Sequence, residues 1–214
     1  MSRTPTSVLR DLLEGNARFV DDNSAHPHQD PSRRRKVTSG QNPKAVVLAC
    51  SDSRAPVEII FDQGLGDVFV IRTAGEITDL SVLASLEFAV VSLGVNLVVV
   101  LGHESCGAVK AAKQALDGGE LPGGFQRVLI EKVTPSLLAA RRDGQTEIED
   151  FERRHVREIA KHVIDRSPEI RAGMDSGNVG VVGMRYRLSD GRAEIVAARG
   201  VDPEIAGDVD TLMG

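Results

Sequence analysis

Ala45-Val46-Val47-Leu48-Ala49, closed by Cys50, decides the fold of this 214-residue chain. Consecutive apolar residues over a strand's length, with no polar alternation, mark a strand buried on both faces, as in a parallel sheet covered by helices. Val68-Phe69-Val70-Ile71 and Leu97-Val98-Val99-Val100-Leu101 repeat the pattern. Helical spacing fills the intervals, briefly over residues 56–62 and at greater length over 80–93, so the order is βαβαβ with right-handed crossovers. Further helices are expected over residues 107–116, 124–141 and 147–166. Residues 178–184 read as a fourth strand and 186–197 as a hairpin about Asp190-Gly191. At the front, Thr4-Pro5 pairs an N-cap with a proline at the first helical position. Val8, Leu9, Leu12, Leu13, Ala17 and Val20 follow at helical spacing. The expected class is α/β: a central, mainly parallel sheet flanked by helices, with an N-terminal helical arm and a C-terminal antiparallel strand or hairpin.

No composition break divides the chain, so residues 1–214 read as one domain, with 1–43 as helix and arm, 44–186 as the α/β core and 187–214 as a C-terminal extension. Residues 21–43 are polar and long for a connection, and are expected to cross the surface or lie against a partner subunit. Their basic run Arg33-Arg34-Arg35-Lys36 reads as a solvated face. With 26 basic and 31 acidic residues the net charge is −5, which gives no electrostatic reason to expect a nucleic-acid partner. There is no apolar run of about 18 residues to span a membrane, and the opening residues are polar where a secretory signal needs an apolar stretch. The expected location is cytoplasmic, where the two cysteines stay reduced and serve metal binding or catalysis rather than a disulfide.

Both cysteines sit in strand-end motifs, Cys50-Ser51-Asp52-Ser53-Arg54 and His103-Glu104-Ser105-Cys106-Gly107. Ligands of open parallel sheets gather beyond the carboxyl ends of the strands, so the two motifs meet if the first and third strands are neighbours. Two thiolates and an imidazole give zinc three protein ligands and leave a fourth position open, the arrangement of a catalytic site. Taken alone His-x-x-Cys is a weak signal, and a buried cysteine serves equally as a small apolar core residue. Asp52 and Arg54 alone would read as a surface pair.

The motifs Cys50-Ser51-Asp52-Ser53-Arg54 and Gly102-His103-Glu104-Ser105-Cys106-Gly107 together resemble the β-class carbonic anhydrase family, which carries C-x-D-x-R and H-x-x-C in this order and at about this separation. The intervening residues 61–75 and 84–90 follow the family pattern too, and the similarity runs from the first helix to about Tyr186. The resemblance implies one zinc ion per chain on Cys50, His103 and Cys106, with Asp52 and Arg54 as a catalytic dyad. The reaction it implies is the reversible hydration of CO2 to bicarbonate and a proton by zinc-activated water. Asp52 would orient that water while Arg54 holds the carboxylate through a two-pronged ion pair. Carried over residue by residue, Gln41 would donate to substrate and Phe69, Ala74, Phe88 and Gly107 would line the pocket. Phe88 stands where many members have tyrosine. The family assembly implies a homodimer or a dimer of dimers, in which Gln41 and Phe88 serve the zinc site of the other subunit.

Val47 stands where some bacterial members place a tryptophan that serves inhibitory bicarbonate binding, and only Arg72 matches that site, so this form of inhibition is expected to be absent or weak. His155 and His162, seven apart on one helix, read as surface or packing residues, and His26 and His28 flank Pro27 without further ligands nearby. Two other functions compete: hydrolysis of another small heterocumulene such as carbon disulfide on the same scaffold, and a non-catalytic zinc protein that keeps the fold. The second would show a damaged dyad, whereas Asp52 and Arg54 are both present. A thiol redox role for Cys50 and Cys106 is disfavoured because the chain has no C-x-x-C.

Overall fold

The computed structural model describes residues 3–207 and 209–212. Six strands form one sheet: β1 Ala45–Cys50, β2 Val68–Thr73, β3 Leu97–His103, β4 Gly180–Tyr186, β5 Ala193–Arg199 and β6 Asp210–Thr211. Their order is β2-β1-β3-β4-β5-β6. β2, β1, β3 and β4 run parallel, β5 returns antiparallel to β4, and β6 pairs parallel to β5. The expected fold class is the observed one. β6 carries no readable signal because it is two residues long.

The helices are α1 Pro5–Val20, α2 Pro31–Lys36, α3 Val57–Ile60, α4 Leu80–Glu87, α5 Gly107–Leu116, α6 Gln126–Arg142, α7 Ile148–Arg166, α8 Pro168–Asp175 and α9 Pro203–Ala206. α4 continues through a π turn over Phe88–Ser92. α1 begins as its sequence dictates: Thr4 Oγ1 accepts from the Ser7 amide and Ser7 Oγ accepts from the Thr4 amide, with Pro5 at the first position. α2 lies inside the polar stretch expected to cross the surface or lie against a partner subunit. Asp30 caps it by accepting from the Ser32 and Arg33 amides, and Arg33 turns inward to Asp67 at 3.1 Å while Arg34, Arg35 and Lys36 stay exposed. The basic run is therefore a solvated helix face except at Arg33.

Every residue of β1 is buried, and alternate side chains enter opposite layers. Ala45, Val47 and Ala49 pack with Leu97, Val99 and Leu101 of β3 against Val8, Leu9 and Leu12 of α1 and the α3 residues Val57 and Ile60. Val46 and Leu48 pack with Val98 and Val100 against Val82 and Leu86 of α4 and Val156, Ile159 and Val163 of α7. A third, smaller core gathers Cys50 and Cys106 with Val109 of α5, Val133 and Leu137 of α6, and Phe151 of α7. The chain leaves β1 towards β2 on one side and returns to β3 on the other, so β1 and β3 flank the topological switch point. Among the described residues no helix is long and apolar enough to cross a membrane.

Candidate metal centre

The centre lies at that switch point. β1 and β3 are paired in register through Ala49 and Leu101, Cys50 ends β1, and His103 ends β3. Cys106 is the N-cap of α5, one tight turn beyond His103, and the turn places Ser105 at φ 60°, in the left-handed region. The ligating atoms of Cys50, His103 and Cys106 all lie within 4.8 Å of one another, and all three residues are buried.

The chemistry of these atoms fits a divalent metal. His103 Nδ1 donates to the Glu104 carbonyl at 2.9 Å, which leaves Nε2 as the lone-pair nitrogen. Nε2 is buried with no hydrogen-bond partner, an arrangement that is costly unless something else accepts its lone pair. The Cys106 thiol, with help from the Gly75 amide, holds Cys50 well below the ordinary thiol range, and the Cys50 thiolate together with burial pushes Cys106 up. A dication bound between them would stabilise both sulfurs as thiolates.

Backbone and neighbouring side chains fix the ligands. The Gly75 amide donates to Cys50 Sγ at 3.2 Å. Gly75 sits at φ 69°, and a Cβ there would stand 2.6 Å from that of Ala108, so no larger residue fits without displacement. Arg72 clamps the loop after β1, donating to the carbonyls of Cys50 at 2.9 and 2.7 Å, Asp52 at 2.6 Å and Ala55 at 3.2 Å. On the other side, the Cys106 amide donates to Glu152 at 3.3 Å. Arg185 secures Glu152 at 2.9 and 2.8 Å from within the core, and also reaches Glu194 at 3.1 Å.

Asp52 stands beside the cluster without joining it. Arg54 Nε donates to one carboxylate oxygen at 2.9 Å and Nη2 to the other at 2.7 Å, and the Arg54 amide adds a third bond at 2.8 Å. These bonds, the side-chain ones foremost, hold Asp52 well below the usual carboxylate range. Its Oδ2 lies 3.8 Å from His103 Nε2. Ala74 and Gly107 are exposed next to Gly75 and Cys106, and a Cβ on Gly107 would meet nothing within 4 Å.

The other residues that the resemblance assigns to the pocket lie elsewhere in the same chain. Gln41 precedes β1 at the amino ends of the strands, on the order of 20 Å from Cys50 at 3.3 Å per strand residue. Phe69 pairs with Val46 while Thr73 pairs with Cys50, so Phe69 also lies towards that end, in tilted contact with Phe88 with ring centroids 6.2 Å apart. Residues outside the two motifs prove close to the centre: Gly75, Glu152, Arg185 and His155, the last fully buried in packing. No sequence pattern marks their contacts, because these are set by the packing of α7 on the sheet. Val47 is buried in the core, and Arg72 is committed to the backbone carbonyls around Cys50.

A parallel sheet with two cysteines and a histidine at its switch point defines a metalloprotein of the α/β class, with a ligand set of catalytic type. Residues 45–193 match the model of the carbonic anhydrase family. A carbonic anhydrase of Mycolicibacterium smegmatis is 50% identical over 191 residues, covering 89% of this chain and 93% of that protein. Carbonic anhydrase 2 of Mycobacterium tuberculosis is 49% identical over 189 residues, covering 88% and 91%. Among solved structures, the Coccomyxa β-carbonic anhydrase in complex with acetazolamide superposes with a TM-score of 0.68 at 27% identity over 87% of this chain and 85% of that one. A tetrameric β-carbonic anhydrase of Sordaria macrospora gives 0.69 at 28% identity over 86% and 93%. The chain belongs to the β-carbonic anhydrase family, zinc enzymes whose reaction is the reversible hydration of CO2.

Proposed function

We propose that this chain hydrates CO2 at the centre formed by Cys50, His103 and Cys106, with Asp52 and Arg54 as its acid–base pair and one zinc ion per chain. The observation that carries the assignment is the buried, unpartnered His103 Nε2 within 4.8 Å of both sulfurs, next to a carboxylate already gripped by an arginine. When bound there, zinc supplies the Lewis acidity that brings the pKa of a coordinated water towards neutrality. Two thiolate ligands offset the charge of a dication, so a nearby proton acceptor has more to do than it would beside three imidazoles. Asp52 fills that role. Its carboxylate stays ionised, and the Arg54 fork fixes its plane, so it can orient the attacking water and hold a hydrogen bond from it. Arg72 keeps the loop from Cys50 to Ala55 from rotating, and Ala74 and Gly107 leave room for a small apolar substrate.

We further infer that the working unit is a homodimer or a dimer of dimers, in which Gln41, Phe69 and Phe88 complete the substrate pocket of a second copy. Their distance from the centre of their own chain supports this. So does the apolar surface beside the edge strand β2, where Leu80, Phe88 and Val91 are 77%, 48% and 61% exposed. The Sordaria macrospora relative is described as tetrameric. Two free cysteines built into one centre require a reducing compartment, which favours the cytoplasm.

The deciding experiment is stopped-flow CO2 hydration on protein of measured zinc content, beside Cys106→Ser and Asp52→Ala. One zinc per chain, with hydration lost in both variants, supports the assignment. Full zinc without hydration overturns it.

A further inference from the structure

α7 presents an apolar face to the sheet through Val156, Ile159, Ala160 and Val163, and one fully buried histidine interrupts it. Both ring nitrogens of His155 are used. Nε2 lies 2.8 Å from the Gly75 carbonyl, which can only accept, so Nε2 carries the proton. Nδ1 is then the acceptor for the Ser136 hydroxyl of α6 at 3.0 Å. The ring is thus fixed in one tautomer and one orientation. Burial lowers its pKa and favours the neutral form. The neighbouring Glu76 carboxyl, 4.0 Å from Nε2, is pushed well up by burial and by the negative charges of Cys50 and Glu152, which favours its neutral form as well.

Gly75 receives this contact on one side and delivers another on the opposite side, donating its own amide to Cys50 Sγ at 3.2 Å. Its left-handed conformation carries no steric preference of its own to hold that amide on the sulfur, since glycine adopts either sign of φ freely. The imidazole bond to its carbonyl supplies the missing constraint. An amide aimed at a thiolate withdraws charge from the sulfur and makes it a weaker donor, which leaves a bound metal more electrophilic.

We propose that His155, held by Ser136, is a positioning residue of the metal centre: acting through Gly75, it keeps the Gly75 amide on the Cys50 sulfur and so sets the donor strength of that ligand. The proposal rests on Cys50 being a metal ligand. It assigns His155 no contact with substrate.

The test uses the cobalt-substituted full chain and three variants. In His155→Phe the sulfur-to-cobalt charge-transfer band moves to lower energy, and, because Cys50 is no longer held in place by the Gly75 amide and this outweighs its greater donor strength, a chelator removes the metal about tenfold faster or more, the range typical of lost outer-shell partners. His155→Gln, whose side-chain amide can still donate to the Gly75 carbonyl, returns both readings towards wild type. Ser136→Ala moves both in the same direction as His155→Phe, by less. A folded His155→Phe protein with the wild-type band and release rate overturns the proposal. Should that variant not fold, the cadmium-substituted wild type decides: coupling between cadmium-113 and the Gly75 amide proton across the hydrogen bond is expected, and its absence overturns the proposal. A Cys50→Ser protein that keeps the full charge-transfer intensity would instead overturn the ligand assignment beneath it.

Discussion

Arg54 closes on Asp52 with Nε and Nη2 each on a different carboxylate oxygen, while the nearer of those oxygens stands 3.8 Å from His103 Nε2. The carboxylate proposed to accept a hydrogen bond from the attacking water is therefore the one the arginine keeps ionised. Asp52→Asn removes the charge and keeps the shape. It is expected to retain zinc and to lower kcat/KM by about 10²–10⁴-fold, the usual weight of a general base. Arg54→Lys is expected to fall less far, because a single ammonium cannot reproduce the planar fork. Zinc analysis beside stopped-flow hydration separates these effects from metal loss.

Cys50 and Cys106 belong to the small core under α5 and α6, so metal binding and folding are coupled there. His103→Ala and Cys106→Ser are expected to purify with little zinc. Chelation of the wild type is expected to lower Tm. Free zinc at a thousand times its Kd stabilises the native state by about 4 kcal/mol. A melting temperature indifferent to chelator would argue against the centre.

Asp62 organises the turn after α1. It accepts from the Ala25 and His26 amides at 2.9 Å each and from Arg18 Nε at 2.6 Å. Burial alone would raise its pKa, but these bonds outweigh burial and lower it. A group with a depressed folded-state pKa contributes stability that is full above its unfolded value, about 3.9, and is lost as pH falls through the folded value. Asp62→Asn is expected to cost about 1–3 kcal/mol at pH 7. In urea titrations the gap between wild type and variant should narrow below about pH 4.

Gly102 of β3 lies against α7. A Cβ there would stand 2.3 Å from Val156 Cγ2 and 2.8 Å from Glu76 Oε1. Gly102→Ala is expected to lower the urea midpoint by the equivalent of about 1–3 kcal/mol with the slope unchanged.

Phe88 packs tilted against Phe69 yet is 48% exposed. Phe88→Arg places a charge on the surface inferred to meet a second copy. Sedimentation is expected to show the wild type as a dimer or larger and the variant shifted to monomer. The monomer should hold zinc and hydrate CO2 poorly, since Gln41 and Phe88 of a second copy no longer reach the pocket.

Helix starts show how far local signals reach. Thr4-Pro5 announced α1, and Asp30-Pro31, Ser167-Pro168 and Asp202-Pro203 open α2, α8 and α9 in the same way, each with the capping side chain on a backbone amide of the first turn. α2 and α9 are too short for apolar periodicity to support the cap. α8 follows α7 directly, so its start reads as a continuation of that helix. β4 lies two residues later than its apolar run suggested, extending through Arg185, whose charge is satisfied internally by Glu152.

The sequence by itself determined the class of fold, because continuous apolar runs and helical spacing are local properties of the chain. It also singled out Cys50, His103 and Cys106 as candidate ligands and Asp52 and Arg54 as a candidate dyad, because these residues sit in two short motifs at strand ends. Only the tertiary structure decided that β1 and β3 are neighbours, which brings those motifs together. Tertiary packing also decided that Gln41, Phe69 and Phe88 lie away from their own centre and that His155 and Glu152 lie beside it. Such contacts arise where α7 packs across the sheet, between residues dozens of positions apart, and a helix's apolar spacing records which face is buried but not which strand end that face will meet.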